Sequence, residues 1–557
     1  MVPEILVLGT AISSRVLKTS EGVAARNPGA LVVVAVPEVE TWKFADSGYE
    51  VLAQGEEQLP FASVEMDRLI GERDFREIVL PVGVPRGSLM GAARWVWTTP
   101  DQSWLLDGSV VRLRARSAIA AALVLVTVLG WWPLSLLQRL SYAADGLGVV
   151  LGGLVARCRP RQAARGAGGN VCHVIPSLGT GGTQRQVVEY LRRSGPGQPV
   201  HLIALFDSND RFLRELEHSG INPVILARGC RTSRLGRAAV RFLPNTTALI
   251  ALTARLRSSR PSCVVSWLFQ ANVVAAPAAR LADVPRVVSS VRGMSTWKSW
   301  PGFRRWWYWP ADRLTAPLND VIFANSRAAA KDFVRWMRLP GLPVEVVPNG
   351  LDIDALLAAP FTDARQRHGL PSGVPVLLTV GRLSFEKDQE TLLRSCARLA
   401  TRMQRWHLFV VGHGVLETRL RQLAEDLGLH AQVTFTGRVD DPQSYYRAAT
   451  LFVLSSRIEG LPNALIEAQI FGVTAVTTDC GGAGDVVDDC QTGRVVPIGD
   501  VDALARNIEG LLRENETRAV MGRAAAEASR GKFDVQAMVD SIDKLSGRTV
   551  PAGDQMG

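Results

Sequence analysis

Residues 451–472 of the chain read LFVLSSRIEGLPNALIEAQIFG, and this stretch decides how the second half of the sequence folds. The apolar run Leu451–Leu454 predicts a buried strand, and Pro462 is well placed in the first turn of a following helix. Gly472 is suited to end that helix. A strand, a loop and a helix in this order are typical of a parallel α/β sheet, which binds its ligands at the carboxyl ends of the strands.

Two glutamates, Glu459 and Glu467, lie in the loop and the helix of this stretch. The helix start beyond Gly460 offers free N–H groups and a positive dipole, which suit phosphate. Carboxylates beside such an anion site can accept hydrogen bonds from the hydroxyls of a sugar and a ribose. Two glutamates at this spacing are common on solvated surfaces, but the run SRIEGLPN around them weakens that interpretation.

A second loop, residues 381–387, reads GRLSFEK and directly follows the apolar run Val374–Val380, which predicts a strand. A nucleoside diphosphate gains negative charge as its bond to a sugar breaks, and fixed cations stabilise that charge. Arg382 can bind phosphate oxygens in pairs, and Lys387 acts as a point charge. A solvated surface loop is the competing interpretation of these two side chains.

The strand–loop–helix pattern recurs through both halves of the chain after residue 170. The strands predicted for the first half are Val171–Ile175, Val200–Leu205, Cys263–Trp267, Arg286–Ser290 and Val321–Ala324. Those predicted for the second half are Val374–Val380, Leu408–Val411, Gln432–Thr436, Leu451–Leu454 and Val473–Thr477. Two parallel α/β domains side by side imply a ligand cleft between them.

Residues 170–547 resemble the retaining family 4 glycosyltransferases, whose GT-B fold consists of two Rossmann-like domains facing a cleft. The Glu459/Glu467 pair matches the E-x7-E pattern of that family, and Gly381, Arg382 and Lys387 match its strand–Gly-Arg–Lys loop. The other matching motifs are SLGTGG at 177–182, ANS at 324–326, VPNG at 347–350, GHG at 412–414 and FTGRV at 435–439. The resemblance covers roughly two thirds of the chain, and so many motifs in the family's order make chance a poor explanation.

The resemblance implies a role for each matching residue. Arg382 and Lys387 would hold the diphosphate, Glu467 would accept from the ribose, and Glu459 would lie against the donor sugar. Arg382, Lys387 and Glu459 therefore form the predicted catalytic set. The remaining donor-binding candidates are Gly181, Gly182, Gly412, Arg438, Val439, Gly460, Leu461, Pro462 and Asn463.

The resemblance also implies that the anomeric configuration of the sugar is retained and that no metal or other cofactor is needed, because the two cations neutralise the diphosphate. We expect a nucleotide diphosphate sugar as donor, a UDP-sugar rather than a GDP-sugar.

The first half departs from the family pattern at two positions. Gln184 stands where relatives often have a glutamate, and Gln270 stands where they commonly have a histidine near the reacting sugar. We therefore name no catalytic base, and take Gln270, Asn272 and Arg292 as candidates on the acceptor side. His173 lies on an apolar strand and is predicted to be structural.

Residues 1–116 are predicted to form a small α/β domain, with strands at Glu4–Gly9, Ala30–Val36 and Glu77–Val82, and the sequence assigns no function to it. Residues 158–169 are basic and glycine-rich and are predicted to form a linker. Residues 548–557 are predicted to form a flexible tail. The predicted GT-B domains are the acceptor-side domain, 170–349, and the donor domain, 350–547. The order is thus small domain, apolar segment, linker and two Rossmann-like domains.

The apolar segment covers residues 117–157. Its first part, SAIAAALVLVTVLGWWPLSLL at 117–137, holds no charge in 21 residues, enough to cross a bilayer core of about 30 Å. A second stretch, Leu140–Ala156, follows, and arginines flank both outer ends, which favours a membrane hairpin or re-entrant segment with cytoplasmic ends. A buried core helix is the competing interpretation. The tryptophan-rich stretch Trp297–Arg313 suits either a lipid headgroup region or a packed helix.

The formal net charge of +10 allows nucleotide substrates, an anionic membrane or nucleic acid as partners. Nucleic acid is the weakest of the three and is not expected as a partner, because we find no zinc-finger spacing, RNA-binding signature or recognition-helix pattern. The seven cysteines form no Cys-x-x-Cys pair, which fits a reducing cytoplasm. The first residues lack the charged and apolar regions of a cleavable signal peptide.

The sequence therefore predicts a hexosyltransferase-like enzyme on the cytoplasmic face of a membrane. The expected acceptor is a hydroxyl of a polyprenyl-linked glycan in capsule, exopolysaccharide or cell-envelope synthesis. One alternative is a non-enzymatic scaffold that keeps the fold to bind a glycan or a protein. Another is a GT-B enzyme of a different reaction, such as phosphorolysis, but we find no sequence context for a lysine that binds pyridoxal phosphate.

Overall fold

The computed structural model describes six strands within residues 1–111 by their backbone, and residues 141–548 apart from 142, 160–169, 180, 195–199, 207–210, 295–301 and 340. The chain divides into two compact units, Met1–Leu140 and Ser141–Gly557. The predicted apolar segment 117–137, the linker 160–169 and the tail 549–557 lie outside the described residues.

The first unit contains a six-stranded sheet in the order β3-β2-β1-β4-β5-β6, parallel except for the antiparallel β5–β6 pair. Its strands are β1 (Glu4–Leu8), β2 (Leu31–Pro37), β3 (Glu50–Gln54), β4 (Phe75–Leu80), β5 (Ser103–Leu106) and β6 (Ser109–Val111). The apolar runs predicted β1, β2 and β4. The other three strands are short, and β3 begins and ends in polar residues.

The first domain of the second unit is built on a seven-stranded parallel sheet in the order β13-β12-β11-β10-β7-β8-β9. Its strands are β7 (Val171–Ile175), β8 (Val200–Ala204), β9 (Val224–Ile225), β10 (Cys263–Trp267), β11 (Arg286–Val291), β12 (Val321–Ala324) and β13 (Val344–Val346). Its helices are α1 (residues 143–157), α2 (Gly182–Arg193), α3 (Arg211–His218), α4 (Leu226–Cys230), α5 (Arg234–Phe242), α6 (Pro244–Ser259), α7 (Phe269–Leu281), α8 (Gly302–Thr315), η1 (Ala316–Leu318, a 3-10 turn) and α9 (Arg327–Met337).

The second domain has a six-stranded parallel sheet in the order β16-β15-β14-β17-β18-β19. Its strands are β14 (Val376–Val380), β15 (His407–Val411), β16 (Val433–Gly437), β17 (Leu451–Leu454), β18 (Ala475–Thr478) and β19 (Gly493–Val496). Its helices are α10 (Ile353–Ala358), α11 (Ala364–Arg367), η2 (Phe385–Lys387, 3-10), α12 (Gln389–Ala400), α13 (Glu417–Asp426), α14 (Pro442–Ala448), α15 (Asn463–Ile470), η3 (Gly482–Asp485, 3-10), α16 (Val501–Arg513) and α17 (Asn515–Lys532).

The ten strands predicted after residue 170 are all present, within two residues of their predicted ends. Strands β9, β13 and β19 were missed; they have only two to four residues and give no clear apolar run. The prediction of two parallel α/β domains is confirmed.

The last helix, α18 (Val535–Ser546), crosses back and packs on the first domain, which corrects the predicted domain 350–547. Its apolar face joins the buried cluster around β7 and β10 through Val535, Met538, Val539, Ile542 and Leu545. Asp543 accepts a hydrogen bond from the Tyr190 hydroxyl of α2 at 2.5 Å. The chain therefore passes between the domains twice.

The second half of the predicted membrane hairpin forms α1, and one face of α1 is packed against protein. A Cβ on Gly148 would lie 2.3 Å from Thr246 Oγ1, and one on Gly152 would lie 2.5 Å from Leu249 Cδ2. Glycines one turn apart thus let α1 approach α6 closely, as small residues do at tight helix contacts. The apolar hairpin itself is not shown, and no helix in the described part of the chain is long and apolar enough to span a membrane.

The tryptophan-rich stretch is helical at its C-terminal end, where α8 begins at Gly302. Trp309 Nε1 donates to the Trp336 carbonyl oxygen at 3.1 Å, and the two rings meet edge to face. Arg313 stacks over the Trp309 ring at 5.2 Å. This end of the stretch packs against α9, as the packed-helix interpretation expects.

Asp145 of α1 is buried and caps the start of α6 from a neighbouring helix. Its carboxylate accepts from the Asn245 and Thr246 amides at 3.2 and 2.8 Å, and from the Asn245 side chain at 2.8 Å. We expect Asp145→Ala to loosen α1 by about 1–3 kcal/mol, because α6 loses its cap and buried donors lose their acceptor. Hydrogen exchange at Asn245 and Thr246, together with the thermal unfolding midpoint, measures this.

The matched control is Asp426→Ala on α13, where the exposed carboxylate accepts one hydrogen bond from Gln422 at 3.0 Å. The control should shift the unfolding midpoint little. Equal effects of the two substitutions would contradict a capping role for Asp145.

Candidate active site

The loop after β14 is held by the glycine turn that follows β15. Gly412 has φ +133°, and a Cβ there would lie 1.9 Å from the Gly381 carbonyl oxygen. Only glycine permits both this backbone conformation and this approach. The Leu383 amide also donates to the His413 carbonyl oxygen at 3.2 Å. The GHG motif thus positions the backbone on which Arg382 is carried.

The two predicted cations differ in their surroundings. Lys387 Nζ lies 2.5 Å from Glu459 Oε1, and Ser456 Oγ donates to the same oxygen at 2.7 Å. The Lys387 and Glu459 side chains are 22% and 11% exposed. Arg382 is exposed, and its guanidinium makes no hydrogen bond or ion pair with the described residues. The structure therefore pairs one cation with Glu459 and leaves the other open to a ligand.

Glu467 lies in the second turn of α15 and is buried. The helix begins at Asn463, and Pro462 caps it without a side-chain hydrogen bond, so its first N–H groups have no side-chain acceptor. Glu467 Oε1 pairs with Arg185 Nη1 at 2.6 Å, and Oε2 accepts from the Tyr446 hydroxyl at 2.8 Å. Burial raises the pKa of Tyr446 well above its ordinary value, so this phenol remains a donor.

The start of α2 lies opposite the start of α15. Gly181 caps α2 in an extended conformation, and no acidic residue occupies the first turn of the helix. A Cβ on Gly182 would lie 3.5 Å from Asn463 Nδ2, an ordinary contact distance across the cleft. Asn463 Oδ1 accepts from Asn349 Nδ2 at 2.6 Å. Two helix N-termini thus meet in one cleft, where their dipoles favour an anion.

The loop that carries Glu459 also touches the first domain. A Cβ on Gly460 would lie 2.6 Å from the Cα of Gly293, and a Cβ on Gly482 would lie 1.7 Å from the Gly460 carbonyl oxygen. Leu461 is buried, and its carbonyl oxygen accepts from Asn349 Nδ2 at 3.4 Å. The loop is therefore enclosed between the two sheets.

A cavity of about 720 Å³ opens between the domains beside Glu467. Val439, which follows β16, lines it from the second domain, and Arg185 and Glu189 line it from α2. Arg438 is exposed and does not line this cavity. The volume falls within the range of small-molecule sites.

Gln270 and Asn272, the first two acceptor-side candidates, lie at the start of α7. Gln270 Nε2 donates to Asn245 Oδ1 at 3.2 Å, which ties it to the start of α6. Asn272 is buried, accepts from Ser266 Oγ at 2.8 Å and donates to the Ser290 carbonyl oxygen at 2.9 Å. These contacts join β10 to β11. An acceptor role for the two residues stays a prediction.

Arg292, the third candidate, is buried directly after β11 and stacks over the Trp267 and Phe323 rings at 4.5 and 5.1 Å. Its Nη1 donates to Asn349 Oδ1 at 3.1 Å, whereas Nε and Nη2 have no partner among the described residues. Burial lowers the pKa of Arg292 to about 9. The side chain is therefore a buried cation beside the Gly293–Gly460 contact.

His173 is fully buried, and its Nδ1 accepts from Trp267 Nε1 at 2.9 Å. Burial lowers its pKa to about 3, so the ring is neutral at physiological pH. The geometry is that of a packed core histidine.

Three residues of this arrangement were not named as candidates from the sequence. Arg185 and Tyr446 complete the surroundings of Glu467, and Asn349 joins Arg292 to Asn463. Asn349 lies inside the VPNG motif, and Arg185 lies three residues after the SLGTGG motif, so their position in the sequence was the available signal. Tyr446 lies on α14 without any motif, and only the fold brings it to Glu467.

Within the part of the chain that the structure describes, no group of histidine, cysteine, aspartate and glutamate side chains is arranged to hold a metal ion.

Two family models match the two halves of the cleft. The model described as Glycosyltransferase Family 4 matches residues 180–355, and the one described as Glycosyl transferases group 1 matches residues 360–528. The boundary between the two matches falls just after the VPNG motif.

Curated relatives include the lipopolysaccharide core biosynthesis glycosyltransferase LpsE of Rhizobium meliloti, 32% identical over 229 residues, which are 41% of this chain and 64% of the relative. Another is the GDP-mannose-dependent alpha-(1-6)-phosphatidylinositol monomannoside mannosyltransferase of Mycobacterium tuberculosis. It is 30% identical over 263 residues, which are 45% of this chain and 67% of the relative. The chain thus spans about two thirds of the length of these relatives.

A solved structure with the same fold is that of Anabaena HepE in complex with UDP-glucose. It superposes with a TM-score of 0.56 at 20% identity and covers 68% of this chain and 99% of HepE. The likeness extends over both sheets and identifies the architecture as GT-B. Because each half of the cleft matches its own family model and the mycobacterial relative aligns across two thirds of its length, the chain belongs to the family 4 glycosyltransferases.

Proposed function

We propose that the protein transfers a sugar from a nucleotide diphosphate sugar to a hydroxyl group of a glycan acceptor. The observation that carries this proposal is the meeting of two helix N-termini, at Gly182 and Asn463, near the loop that carries Arg382 and Lys387. Donors from backbone and side chains together suit the diphosphate, whose charge grows as it leaves. Glu467, buried beside the cavity, supplies a carboxylate for the ribose hydroxyls.

In the proposed reaction the bond between the anomeric carbon and the diphosphate oxygen breaks, and the diphosphate leaves with the electron pair. The acceptor oxygen bonds to the same carbon, and its proton is released. Lys387 Nζ pairs with Glu459 Oε1, which restricts the orientation of this carboxylate. We assign the Glu459 carboxylate to the donor sugar. We propose that the anomeric configuration is retained, which the coupling constant of the anomeric proton in the product reports.

We further propose a lipid-linked acceptor and a position on the cytoplasmic face of a membrane. The mycobacterial relative is named for a lipid acceptor, phosphatidylinositol monomannoside. All seven cysteines are free thiols, as expected in the compartment that supplies nucleotide sugars. The outer face of α1 exposes Leu147, Leu151, Leu154 and Val155, with side chains 43–57% accessible.

We expect Arg382→Ala to lower donor turnover roughly a hundred- to a thousandfold, because an open cation no longer meets the leaving diphosphate. Turnover is measured by nucleotide release from a panel of UDP- and GDP-sugars, with the strongest release expected from a UDP-sugar. Arg394→Ala is the matched control, since Arg394 is 49% exposed and pairs only with Glu390 of its own helix. Unchanged turnover in Arg382→Ala would contradict the assignment of this loop to the diphosphate. An absence of turnover by the wild-type protein with every donor would favour a glycan-binding scaffold.

We expect turnover to persist within about twofold in EDTA, because Arg382 and Lys387 neutralise the diphosphate in place of a divalent cation. The same nucleotide-release assay checks this, with and without added Mg²⁺ or Mn²⁺. A loss in EDTA that either metal restores would contradict metal-independent transfer.

We expect Leu147→Ser/Leu151→Ser to weaken binding to vesicles of phosphatidylcholine and phosphatidylglycerol about tenfold or more, because two apolar side chains no longer enter the bilayer. Sedimentation of the full chain with the vesicles measures the bound fraction. Val520→Ser on α17 is the control, since Val520 is 51% exposed on the second domain. Equal binding of all three proteins would place any membrane contact elsewhere in the chain.

A further inference from the structure

Arg185 forms an ion pair across the cleft between the two α/β domains. It projects from the first turn of α2 in the first domain, and its Nη1 lies 2.6 Å from Glu467 Oε1 on α15 of the second domain. The Arg185 side chain is 37% exposed, whereas that of Glu467 is 8% exposed. The proximity of this buried carboxylate raises the pKa of Arg185, which therefore stays charged. The pair ties the two domains together at the edge of the cavity.

The carboxylate that would accept from a ribose is thus already engaged on both oxygens. Tyr446 holds Oε2 from inside the second domain, and Tyr446 is fully buried and belongs to the domain core. Arg185 holds Oε1 from the opposite domain. A ribose diol that binds Glu467 therefore has to displace one of these two partners. Arg185 is the partner that can leave, since its side chain is long and more than a third exposed.

A second carboxylate, that of Glu189, lies near Arg185 on the same helix. Glu189 lies one turn further along α2, at the spacing where side chains on one helix face meet. It lines the same cavity, and no hydrogen bond or ion pair engages it within the described residues. Burial raises the pKa of Glu189, and the charge of Arg185 partly offsets this effect, so the two groups already interact electrostatically.

We infer that Arg185 is a two-position cation that pairs with Glu467 across the cleft and moves to Glu189 when a ribose binds Glu467. This inference rests on the proposed function, because it assigns Glu467 to the ribose of the nucleotide donor. Because Arg185 exchanges the carboxylate of Glu467 for that of Glu189, it stays paired in both positions. The free energy needed to separate Arg185 from Glu467 is therefore small. Arg185 is thus a positioning residue that competes with the ribose of the donor for Glu467.

The experiment is a double-mutant cycle on the affinity for UDP, and for GDP in parallel, measured by calorimetry with the full chain. Arg185→Gln removes the competitor, and we expect it to tighten binding about three- to tenfold. Glu189→Gln removes the alternative partner, and we expect it to weaken binding by a similar factor, since Arg185 then stays on Glu467. In the Arg185→Gln background, Glu189→Gln should have no further effect.

The controls use an exposed ion pair within the first domain that does not line the cavity. Arg159 Nη1 and Asp283 Oδ1 lie 3.2 Å apart, with side chains 40% and 48% exposed. Arg159→Gln and Asp283→Asn should leave the affinity within about twofold. A second ligand, 2′,3′-dideoxy-UDP, lacks the ribose hydroxyls and should bind wild type and Arg185→Gln alike.

The outcomes separate the inference from the proposed function. If Arg185→Gln weakens the binding of UDP and of its dideoxy analogue equally, Arg185 contacts the nucleotide directly and the two-position inference is wrong. The inference also fails if Glu189→Gln acts equally in both backgrounds or has no effect in either. If neither UDP nor GDP binds to wild type or to any variant, the proposed function fails.

Discussion

The double crossing of the chain between its two α/β domains is the constraint on which the cleft depends. The Leu351 amide donates to the Phe533 carbonyl oxygen at 2.8 Å, and the Val535 amide donates to that of Leu351 at 3.1 Å. A Cβ on Gly350 would lie 2.6 Å from the Cα of Val535, so the VPNG motif ends in glycine where the two crossings touch. The Gly350 amide is held by Gln186 of α2 at 2.7 Å. This junction sets the distance between α2 and α15.

The charges in the cleft follow from that distance. Parallel sheets present the carboxyl ends of their strands at one edge, and in this protein the two edges face each other. Lys387 and Glu459 pair within the second domain, whereas Arg185 and Glu467 pair between the domains. A second inter-domain pair, Arg327 with Asp485, lies 2.6 Å apart at the start of α9. In each of these pairs the cation is more exposed than the carboxylate. The apolar face of α18 adds a buried contact with the first domain.

Features set by residues close together in the sequence could be predicted, whereas contacts between distant parts of the chain could not. Strands such as Val171–Ile175 and Leu451–Leu454 are continuous apolar runs in parallel sheets, and their bounds were predicted without error. Lys387 and Glu459 belong to motifs, and the fold brings them together. The return of α18 to the first domain could not be predicted, because an amphipathic helix fits many apolar surfaces. For α1, a membrane segment was favoured over a buried core helix, because Asp145 and the glycines are compatible with both. The cap on α6, which only the fold reveals, shows that one face of α1 is packed against protein.

The free energy of burying Arg292 also depends on contacts that only the fold reveals. A buried guanidinium without a carboxylate is unfavourable by several kcal/mol unless other groups compensate, and no carboxylate pairs with it among the described residues. Two aromatic faces and Asn349 Oδ1 supply part of that compensation. With a pKa of about 9, the side chain still carries its charge at neutral pH. A protein departs from the rule of pairing buried charges mainly where function requires it. Under the proposed function, an anionic donor in the adjoining cleft reduces this imbalance of charge, so the buried cation favours the binding of that donor.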